Sequence, residues 1–195
     1  MILITNNRMR PEDAIKYLNG AMSLRAPQAK SLALFAGYLQ SPAGQRLLSR
    51  MKRDTRGAVT EVLAESKAYF ATIPETWEFV EFERAFPAYT FALATGVGKT
   101  RLMGAFVAYL YLVYNIQHFL IVAPNLTIYR KLYDDFSKAN NPKYVFRGVQ
   151  EIDINTAKVI TTENYANQRG SALFGNQIEI NIFNIQQFAQ KDMTS

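Results

Sequence analysis

The sequence predicts an α/β protein in which a parallel sheet follows a helical N-terminal extension. Apolar runs with strand character alternate with helical segments from about residue 89 onward. Such alternation is typical of a parallel sheet that is covered by helices on both faces. The first third of the chain instead spaces its apolar residues as helices do. With 195 residues, of which 49% are hydrophobic, the chain is long enough for one domain with an extension.

Helices account for the first third of the chain. Pro11 suits the first position of a helix, and the two acids that follow it favour the positive helix end. The breaker residues of Ser41–Gly44 separate the second helix from the third. We expect helices at residues 11–20, 27–39, 45–56 and 56–70.

Aromatic and β-forming residues become frequent near Pro74, which suggests two strands around Phe86–Pro87. Strands and helices then alternate to the end of the chain. We expect strands at Tyr89–Leu93, Phe119–Ala123, around Val145, Lys158–Thr162 and Ile178–Phe183, with helices at Lys99–Tyr114 and Leu126–Ala139. The predicted domains are an extension over residues 1–73 and a sheet domain over residues 74–195.

Composition excludes several kinds of site. The chain has no cysteine, so it has neither disulfides nor cysteine-based zinc sites, and we expect a cytoplasmic protein. One histidine, His118, cannot build a histidine-rich metal site, and we interpret it as a strand-edge residue. The longest apolar segment, Leu102–Val113, is shorter than the roughly 20 residues that span a bilayer, so no membrane partner is expected.

Positive charge is concentrated in the N-terminal part. The chain carries a net charge of +6, whereas residues 1–60 alone hold ten Lys/Arg and three Asp/Glu, a net charge of +7. This distribution is compatible with a nucleic-acid partner. Solvated helical faces are often equally basic, so charge does not decide between the two interpretations.

The segment FALATGVGKT, Phe91–Thr100, has the context of a phosphate-binding loop. An apolar run enters a glycine turn, whose N–H groups can surround phosphate oxygens, and a helix leaves it. We expect ATP with Mg²⁺ here. Lys99 would reach the β- and γ-phosphates and Thr100 would bind Mg²⁺, which makes these two the predicted catalytic residues. The predicted nucleotide-binding residues of the segment are Thr95, Gly96, Val97, Gly98, Lys99, Thr100 and Arg101.

One position departs from the strict pattern G-x-x-x-x-G-K-[ST], because Leu93 stands where the first glycine is expected. The alternative interpretation of the segment is a structural turn with an incidental lysine. The apolar run before the turn and the apolar helix after it favour the nucleotide site.

Two stretches, LATGVGKTRLM and FLIVAPNLTIYRKL, resemble the first two motifs of superfamily 2 helicases. They most resemble the helicase-bearing Res subunit of type III restriction–modification enzymes and its DEAD/DEAH-box relatives, in which a large apolar residue commonly occupies the position of Leu93. INIFNIQQF, residues 180–188, also resembles that group. The resemblance covers about residues 82–188. It implies part of a RecA-like motor lobe, DNA as substrate and a methyltransferase subunit as partner.

The resemblance also implies roles for residues outside the phosphate loop. Gln28, in LRAPQAKSL, matches an upstream glutamine whose amide reads the edge of adenine, although about seventy residues separate it from the loop. A surface helix glutamine is the alternative. In APNLT, Asn125 can cap a helix, and Pro124, Asn125 and Thr127 are expected to contact a nucleic-acid backbone.

The magnesium-binding acid of such an ATPase does not occur in the sequence. The family carries an Asp-Glu pair after an apolar strand, and no acid of this chain fits that position. Asp134 and Asp135 lie in a helical segment, and Glu163 lacks a preceding aspartate. We therefore expect an N-terminal piece of a longer protein, either a truncated product or an expressed fragment, that binds nucleotide without hydrolysing it.

Three functions remain open from the sequence. The first is the ATP-binding part of a DNA-dependent ATPase of a type III-like restriction endonuclease. The second is a general superfamily 2 DNA helicase without nuclease activity. The third is a non-catalytic nucleic-acid-binding module, in which the basic N-terminal helices contact DNA.

Overall fold

A computed structural model describes residues 8–51, 58–74, 88–153, 155–164 and 177–186 of the chain. Within these residues the helices are α1 Pro11–Ala21, α2 Ala26–Gln40, α3 Pro42–Met51, α4 Ala58–Phe70, α5 Lys99–Tyr114 and α6 Leu126–Ser137. The strands are β1 His118–Ala123, β2 Ala157–Ile160 and β3 Ile178–Asn184. The chain forms two compact units, one of Met1–Gln28 with Gly96–Ser195 and one of Ala29–Thr95.

The first unit contains a parallel three-stranded sheet in the order β1-β3-β2. Ile121 of β1 lies beside Ile182 of β3, and Val159 of β2 lies beside Ile180 of β3. The central strand β3 alternates buried and half-buried residues along its whole length. The predicted α/β class with a parallel sheet is therefore confirmed, as is the helical character of the N-terminal part.

The two faces of this sheet differ. Ile121, Ile180 and Ile182 lie on one face, and each is at most 9% exposed. On the other face, Leu120 is 61% and Val122 is 45% exposed. We expected helices to cover both faces of the sheet. Among the described residues, only the face with the three isoleucines is covered. Helix α6 packs against all three strands.

Helix α1 belongs to the same unit as the sheet and packs against α5. The Met9 N–H donates to the carbonyl of Leu112 at 3.1 Å. The hydroxyl of Tyr17 donates to Glu151 Oε2 at 2.6 Å and accepts from the N–H of Gln150 at 2.9 Å. Partial burial, and to a smaller extent the hydrogen bond to Glu151, raises the pKa of Tyr17. These contacts join the N-terminal helix to residues more than one hundred positions away.

The second unit is built from most of α2, with α3, α4 and the segment that leads to the glycine turn. Arg46 of α3 pairs with Glu65 of α4, with 3.0 Å between Nε and Oε1. Tyr38 is buried, and its ring lies 5.2 Å from that of Phe70 and 4.8 Å from that of Tyr89. An aromatic cluster therefore holds this unit together.

The prediction of a strand at Tyr89–Leu93 is wrong. These residues are described without regular structure and pair with none of the described strands. Instead Tyr89 joins the aromatic cluster, and the ring of Phe91 lies 6.2 Å edge-on from that of Phe35. Their strand propensity reflects aromatic side chains that need burial, and helices of the same unit satisfy that need here.

The strand expected around Val145 is also wrong, because residues 141–150 form consecutive turns. Val145 is fully buried, and its N–H donates to the carbonyl of Asp135 at 2.8 Å. Phe146 is buried beside Phe136 at a ring distance of 5.8 Å. A short apolar run is compatible with a buried turn as well as with a strand, and the packing decided between them.

The remaining expected elements lie within a few residues of their predicted bounds. The third helix, expected at 45–56, is described as α3 and begins three residues earlier. Its predicted end and the strands around Phe86–Pro87 fall outside the described residues. None of the helices in the described part of the chain combines the length and apolar character that a bilayer crossing requires.

Candidate functional site

The phosphate loop, residues 95–100, turns sharply into the start of α5. Gly96 has a φ of 81° and Gly98 a φ of 95°, both in the left-handed region that favours glycine. Gly98 is the N-cap of α5, so the first helical N–H groups follow the turn directly. Left-handed residues beside a helix N-terminus form a concavity with positive potential. Exposed Lys99 adds a full charge at its edge.

Two residues from the start of α2 are hydrogen-bonded to this loop. Gln28 Nε2 donates to the carbonyl of Gly98 at 2.8 Å, and Arg25 Nη1 donates to the carbonyl of Gly96 at 2.9 Å. The N–H of Arg25 in turn donates to Gln28 Oε1 at 2.7 Å. The carbonyls of Gly96 and Gly98 are therefore held by side chains from an upstream segment. These hydrogen bonds bring together two segments that are about seventy residues apart in the sequence.

Gln28 is 3% exposed. An amide group has two N–H donors and two acceptor lone pairs, so these two bonds use half of its capacity. The structure thus places Gln28 at the loop, where it acts first on the protein backbone. Its predicted contact with adenine stays a prediction.

Gly98 is also the point of closest approach between these segments. A Cβ atom at Gly98 would lie 2.6 Å from Gln28 Nε2, whereas one at Gly96 would meet nothing within 4 Å. The left-handed backbone favours glycine at both positions, and at Gly98 the close contact with Gln28 adds a second reason.

The hydroxyl of Thr100 faces a cation from α6. Lys131 Nζ donates to Thr100 Oγ1 at 3.0 Å and to Asp135 Oδ2 at 2.7 Å. Asp135 is 3% exposed and also accepts from Asn141 Nδ2 at 3.2 Å. A buried carboxylate thus holds a lysine against the residue that was predicted to bind Mg²⁺.

Arg101 points away from the phosphate loop. Its guanidinium makes five hydrogen bonds, between 2.8 and 3.3 Å, with four backbone carbonyls. The acceptors are the carbonyls of Met22, Tyr144, Val145 and Arg147. Burial, with a smaller contribution from the charge of Arg147, lowers the pKa of Arg101. This side chain joins the end of α1, the start of α5 and the turns at 144–147.

The APNLT segment turns from β1 into α6. Asn125 is the N-cap, and its Oδ1 accepts from the N–H of Ile128 at 3.0 Å, which confirms the predicted cap. Pro124, Asn125 and Thr127 are exposed. The start of α6 therefore presents exposed backbone and side chains one helical turn before Lys131.

A family model for the type III restriction enzyme res subunit matches residues 40–195. The match covers most of the chain, including the phosphate loop and APNLT. The chain belongs to the Res family of type III restriction enzymes. Neither the curated proteins nor the solved structures gave a match. Gln28 and Arg25 precede the matched residues of the Res model, so their contacts with the loop are known from the structure alone.

Proteins of the Res family have an ATP-dependent, helicase-like superfamily 2 function. Mg²⁺ usually accompanies their nucleotide. Full-length members are hydrolases, and type III Res subunits in general act on DNA with a methyltransferase partner. The loop of this chain fits the phosphates of a nucleotide, because left-handed glycines and a helix start lie beside exposed Lys99. Thr100 offers Mg²⁺ one hydroxyl oxygen.

In the part of the chain that the structure describes, no three acidic or histidine side chains are grouped as metal ligands, at the Res-family loop or elsewhere. Glu163 accepts from the hydroxyl of Tyr129 at 2.8 Å, and Glu179 lies 3.7 Å from His118 Nδ1. Asp153 caps a turn through the N–H groups of Asn155 and Thr156, at 2.9 and 2.7 Å. Asp192 lies outside the described residues.

Sequence reasoning missed three residues of this site. Arg25 gave no motif signal. Lys131 lies in the stretch FLIVAPNLTIYRKL without an implied role, and Asp135 lies in a helical segment instead of after an apolar strand. Their spacing of four residues on a helix does place Lys131 and Asp135 on one face. No feature of the sequence indicated that this face meets Thr100.

Proposed function

We propose that this Res-family chain binds the triphosphate of ATP at residues 95–100, as the nucleotide-binding part of a DNA-translocating restriction subunit. The observation that supports the proposal best is the loop itself. Two left-handed glycines lead directly into α5 beside exposed Lys99, and Gln28 and Arg25 hold two loop carbonyls.

The proposed roles follow from the position of each group. The N–H groups of Thr95, Gly96, Val97 and Gly98 bind phosphate oxygens, and the ammonium of Lys99 pairs with the outer phosphates. The Thr100 hydroxyl would be one ligand of Mg²⁺, in competition with the Lys131 ammonium that contacts it, and the metal ion would neutralise phosphate charge. Gln28 contacts adenine with its second donor and acceptor. Arg101 supports the site by fixing the first turn of α5, since five N–H···O bonds already engage its guanidinium.

We further propose that this chain on its own does not turn ATP over. No apolar strand of the sequence ends in an Asp-Glu pair. Hydrolysis in phosphate-loop enzymes needs a carboxylate that holds the metal ion and a group that orients water. Mg²⁺-dependent ATPase activity that is lost in Lys99→Ala would show that the chain contains such a carboxylate.

Titration calorimetry with ATP tests the nucleotide site in the 195-residue chain. Lys99→Ala removes the charge at the loop, whereas Lys16→Ala removes a charge that is also exposed, on α1. We expect Lys99→Ala to weaken binding about tenfold or more, because a charge-assisted phosphate contact is lost. Lys16→Ala is expected to bind as the unaltered chain does. Equal binding by all three proteins would overturn the proposed site.

The start of α6 is the proposed contact for a DNA backbone. Exposed Asn125 and Thr127 at a helix N-terminus suit phosphate contacts that do not depend on base sequence. Thr127→Glu should weaken binding of duplexes of unrelated sequence to a similar extent, because the added charge repels phosphate. Lys143→Glu, with a larger change of charge at an exposed position outside the N-terminal helices, is the control. Unaltered DNA affinity in Thr127→Glu would contradict the assignment.

Two other functions are distinguished by further measurements. Persistent DNA binding without any ATP binding would favour a non-catalytic nucleic-acid module. A complete subunit that unwinds or translocates on DNA without cleaving it would favour a general helicase. We favour the restriction subunit because the family model matches residues 40–195. By the same family relationship we propose a methyltransferase partner, endonuclease activity of the complete enzyme and a cytoplasmic location.

A further inference from the structure

Lys131 lies between the phosphate loop and a buried acid. Its Nζ is 3.0 Å from Thr100 Oγ1 and 2.7 Å from Asp135 Oδ2. The side chain of Lys131 is 46% exposed, while that of Asp135 is 4% exposed. The negative partner is therefore buried behind the lysine, and the ammonium faces the loop.

The carboxylate is itself fixed. Asn141 Nδ2 donates to Asp135 Oδ1 at 3.2 Å, and the Asp135 carbonyl accepts from the N–H of Val145 at 2.8 Å. Lys131 and Asp135 are four residues apart in α6, a spacing that places both on one face. The ammonium is thus held by a carboxylate that has a second hydrogen-bond partner, and its contact with Thr100 follows from the packing of α5 against α6.

A hydroxyl and a carboxylate around one cation form the donor pair that holds Mg²⁺ in phosphate-loop enzymes. In this chain the cation between Thr100 and Asp135 is an ammonium. Lysine has three N–H donors, and Thr100 and Asp135 use two of them. The third can donate to a phosphate oxygen of a nucleotide in the loop.

We propose that Lys131 is a nucleotide-binding residue whose ammonium takes the place of Mg²⁺ beside Thr100, so that the chain binds ATP without a metal ion. The inference rests on the proposed nucleotide site and assigns the Lys131 ammonium as the cation of that site. Lys99 and Lys131 then neutralise the triphosphate from two sides. Mg²⁺ and Lys131 compete for the Thr100 hydroxyl, so a metal ion improves ATP affinity little in the unaltered chain.

The test compares ATP affinity in Mg²⁺ with ATP affinity in EDTA, by calorimetry on the full chain. Lys131→Met removes the ammonium and keeps the length of the side chain. Because it leaves a buried carboxylate unpaired, the double variant Lys131→Met/Asp135→Asn is measured as well. Arg130→Met is the matched control, since it removes the same charge from the neighbouring exposed position. Circular dichroism verifies that each variant is folded.

We expect Lys131→Met and the double variant to lose about tenfold in ATP affinity in EDTA, and to change little in Mg²⁺. The ratio of the two affinities then rises in both variants and stays constant in Arg130→Met. An unchanged ratio in the folded double variant overturns the inference while leaving the nucleotide site intact. Failure of the unaltered chain to bind ATP in either buffer overturns the nucleotide site, and the inference with it.

Discussion

Gln28 and Gly98 are seventy residues apart in the sequence and are joined by a hydrogen bond of 2.8 Å from the Gln28 amide to the Gly98 carbonyl. The bond ties the beginning of α2 to the N-cap of α5, both in the same compact unit. Arg25 adds a parallel contact with Gly96. The phosphate loop, residues 95–100, is therefore held by a segment that lies outside the family match.

We expect Gln28→Ala to weaken binding of inorganic tripolyphosphate as well as of ATP, because the loop loses a contact that fixes its carbonyl. Calorimetry with both ligands measures the two effects. Gln45→Ala is the control, since Gln45 also donates to a backbone carbonyl, that of Leu39 at 2.7 Å, in the other unit. Undiminished tripolyphosphate binding in Gln28→Ala would show that the bond does not shape the loop.

The same variant examines adenine recognition separately. If Gln28 also contacts the base, Gln28→Ala reduces the preference for ATP over GTP in addition to the loss shared with tripolyphosphate. If the ratio of ATP to GTP affinity is the same in Gln28→Ala as in the unaltered chain, Gln28 contacts the loop and not the base.

Alanine at the loop glycines should be destabilising, and more so at Gly98. Both residues have a left-handed φ, which costs alanine about 1–2 kcal/mol. Gly98→Ala adds a close contact with Gln28 that Gly96→Ala lacks. Gly20 lies in helical α1 with open space around it, so Gly20→Ala should stabilise by up to about 1 kcal/mol. Urea unfolding gives the three free energies, and an equal effect of the two loop variants would contradict this order.

Arg101 is expected to contribute to stability more than any exposed arginine. Arg101→Met removes five hydrogen bonds and takes this donor from the carbonyls of three buried residues, Met22, Tyr144 and Val145. The expected loss in the free energy of unfolding is roughly 2–4 kcal/mol. Arg101→Lys should recover only part of it, because an ammonium cannot reproduce the planar fork. Arg130→Met, at an exposed position, should change the free energy little, and a similar small effect of Arg101→Met would refute the assignment.

The carboxyl group of Asp153 should titrate below the usual aspartate range. Hydrogen bonds from the Thr156 hydroxyl, then from backbone N–H groups, hold the pKa of Asp153 down. A lowered folded-state pKa stabilises the fold above the ordinary aspartate pKa, and this stabilisation is lost as the pH falls through the folded value. Carbon-detected NMR titration should give a higher pKa in Thr156→Val and nearly the original one in Thr156→Ser. An Asp153 pKa in Thr156→Val that equals the pKa in the unaltered chain would exclude the hydroxyl as the main cause.

Loss of the Asn125 cap should destabilise the start of α6 by about 1 kcal/mol, because the N–H of Ile128 loses its acceptor. Asn125→Ala removes the cap, whereas Asn125→Asp keeps an acceptor at the same place. Thermal unfolding of the two variants measures the difference. Equal stability of the Ala and Asp variants would mean that the cap contributes nothing.

Local signals in the sequence were sufficient for most of the elements around the site. The glycine turn before an apolar helix indicated the start of α5 at Lys99, and Asn125 indicated the start of α6. Both are statements about neighbouring residues, whose backbone preferences act within one turn of a helix.

Propensity failed where burial had more than one solution. Tyr89–Leu93 has the composition of a strand, but its aromatic side chains pack with Tyr38, Phe35 and Phe70 of helices. The apolar run at Val145 is buried in consecutive turns. A run of apolar residues in the sequence indicates that these residues need burial. Which residues bury them depends on packing between segments that are far apart in the sequence.

By itself, the sequence determined the α/β class, the helical N-terminal part, the phosphate-loop residues and the resemblance to Res subunits. Each of these depends on residues that are adjacent or on the period of a single element. Only the tertiary structure decided that Gln28 and Arg25 hold the loop, that Arg101 turns away from it, and that Lys131 and Asp135 meet Thr100. The contacts of Arg25, Gln28, Arg101 and Lys131 join residues that are 31 to 79 positions apart. Asp135 reaches this group through Lys131. No local preference encodes them, because they form only when the end of α1, the start of α2, α5 and α6 come together.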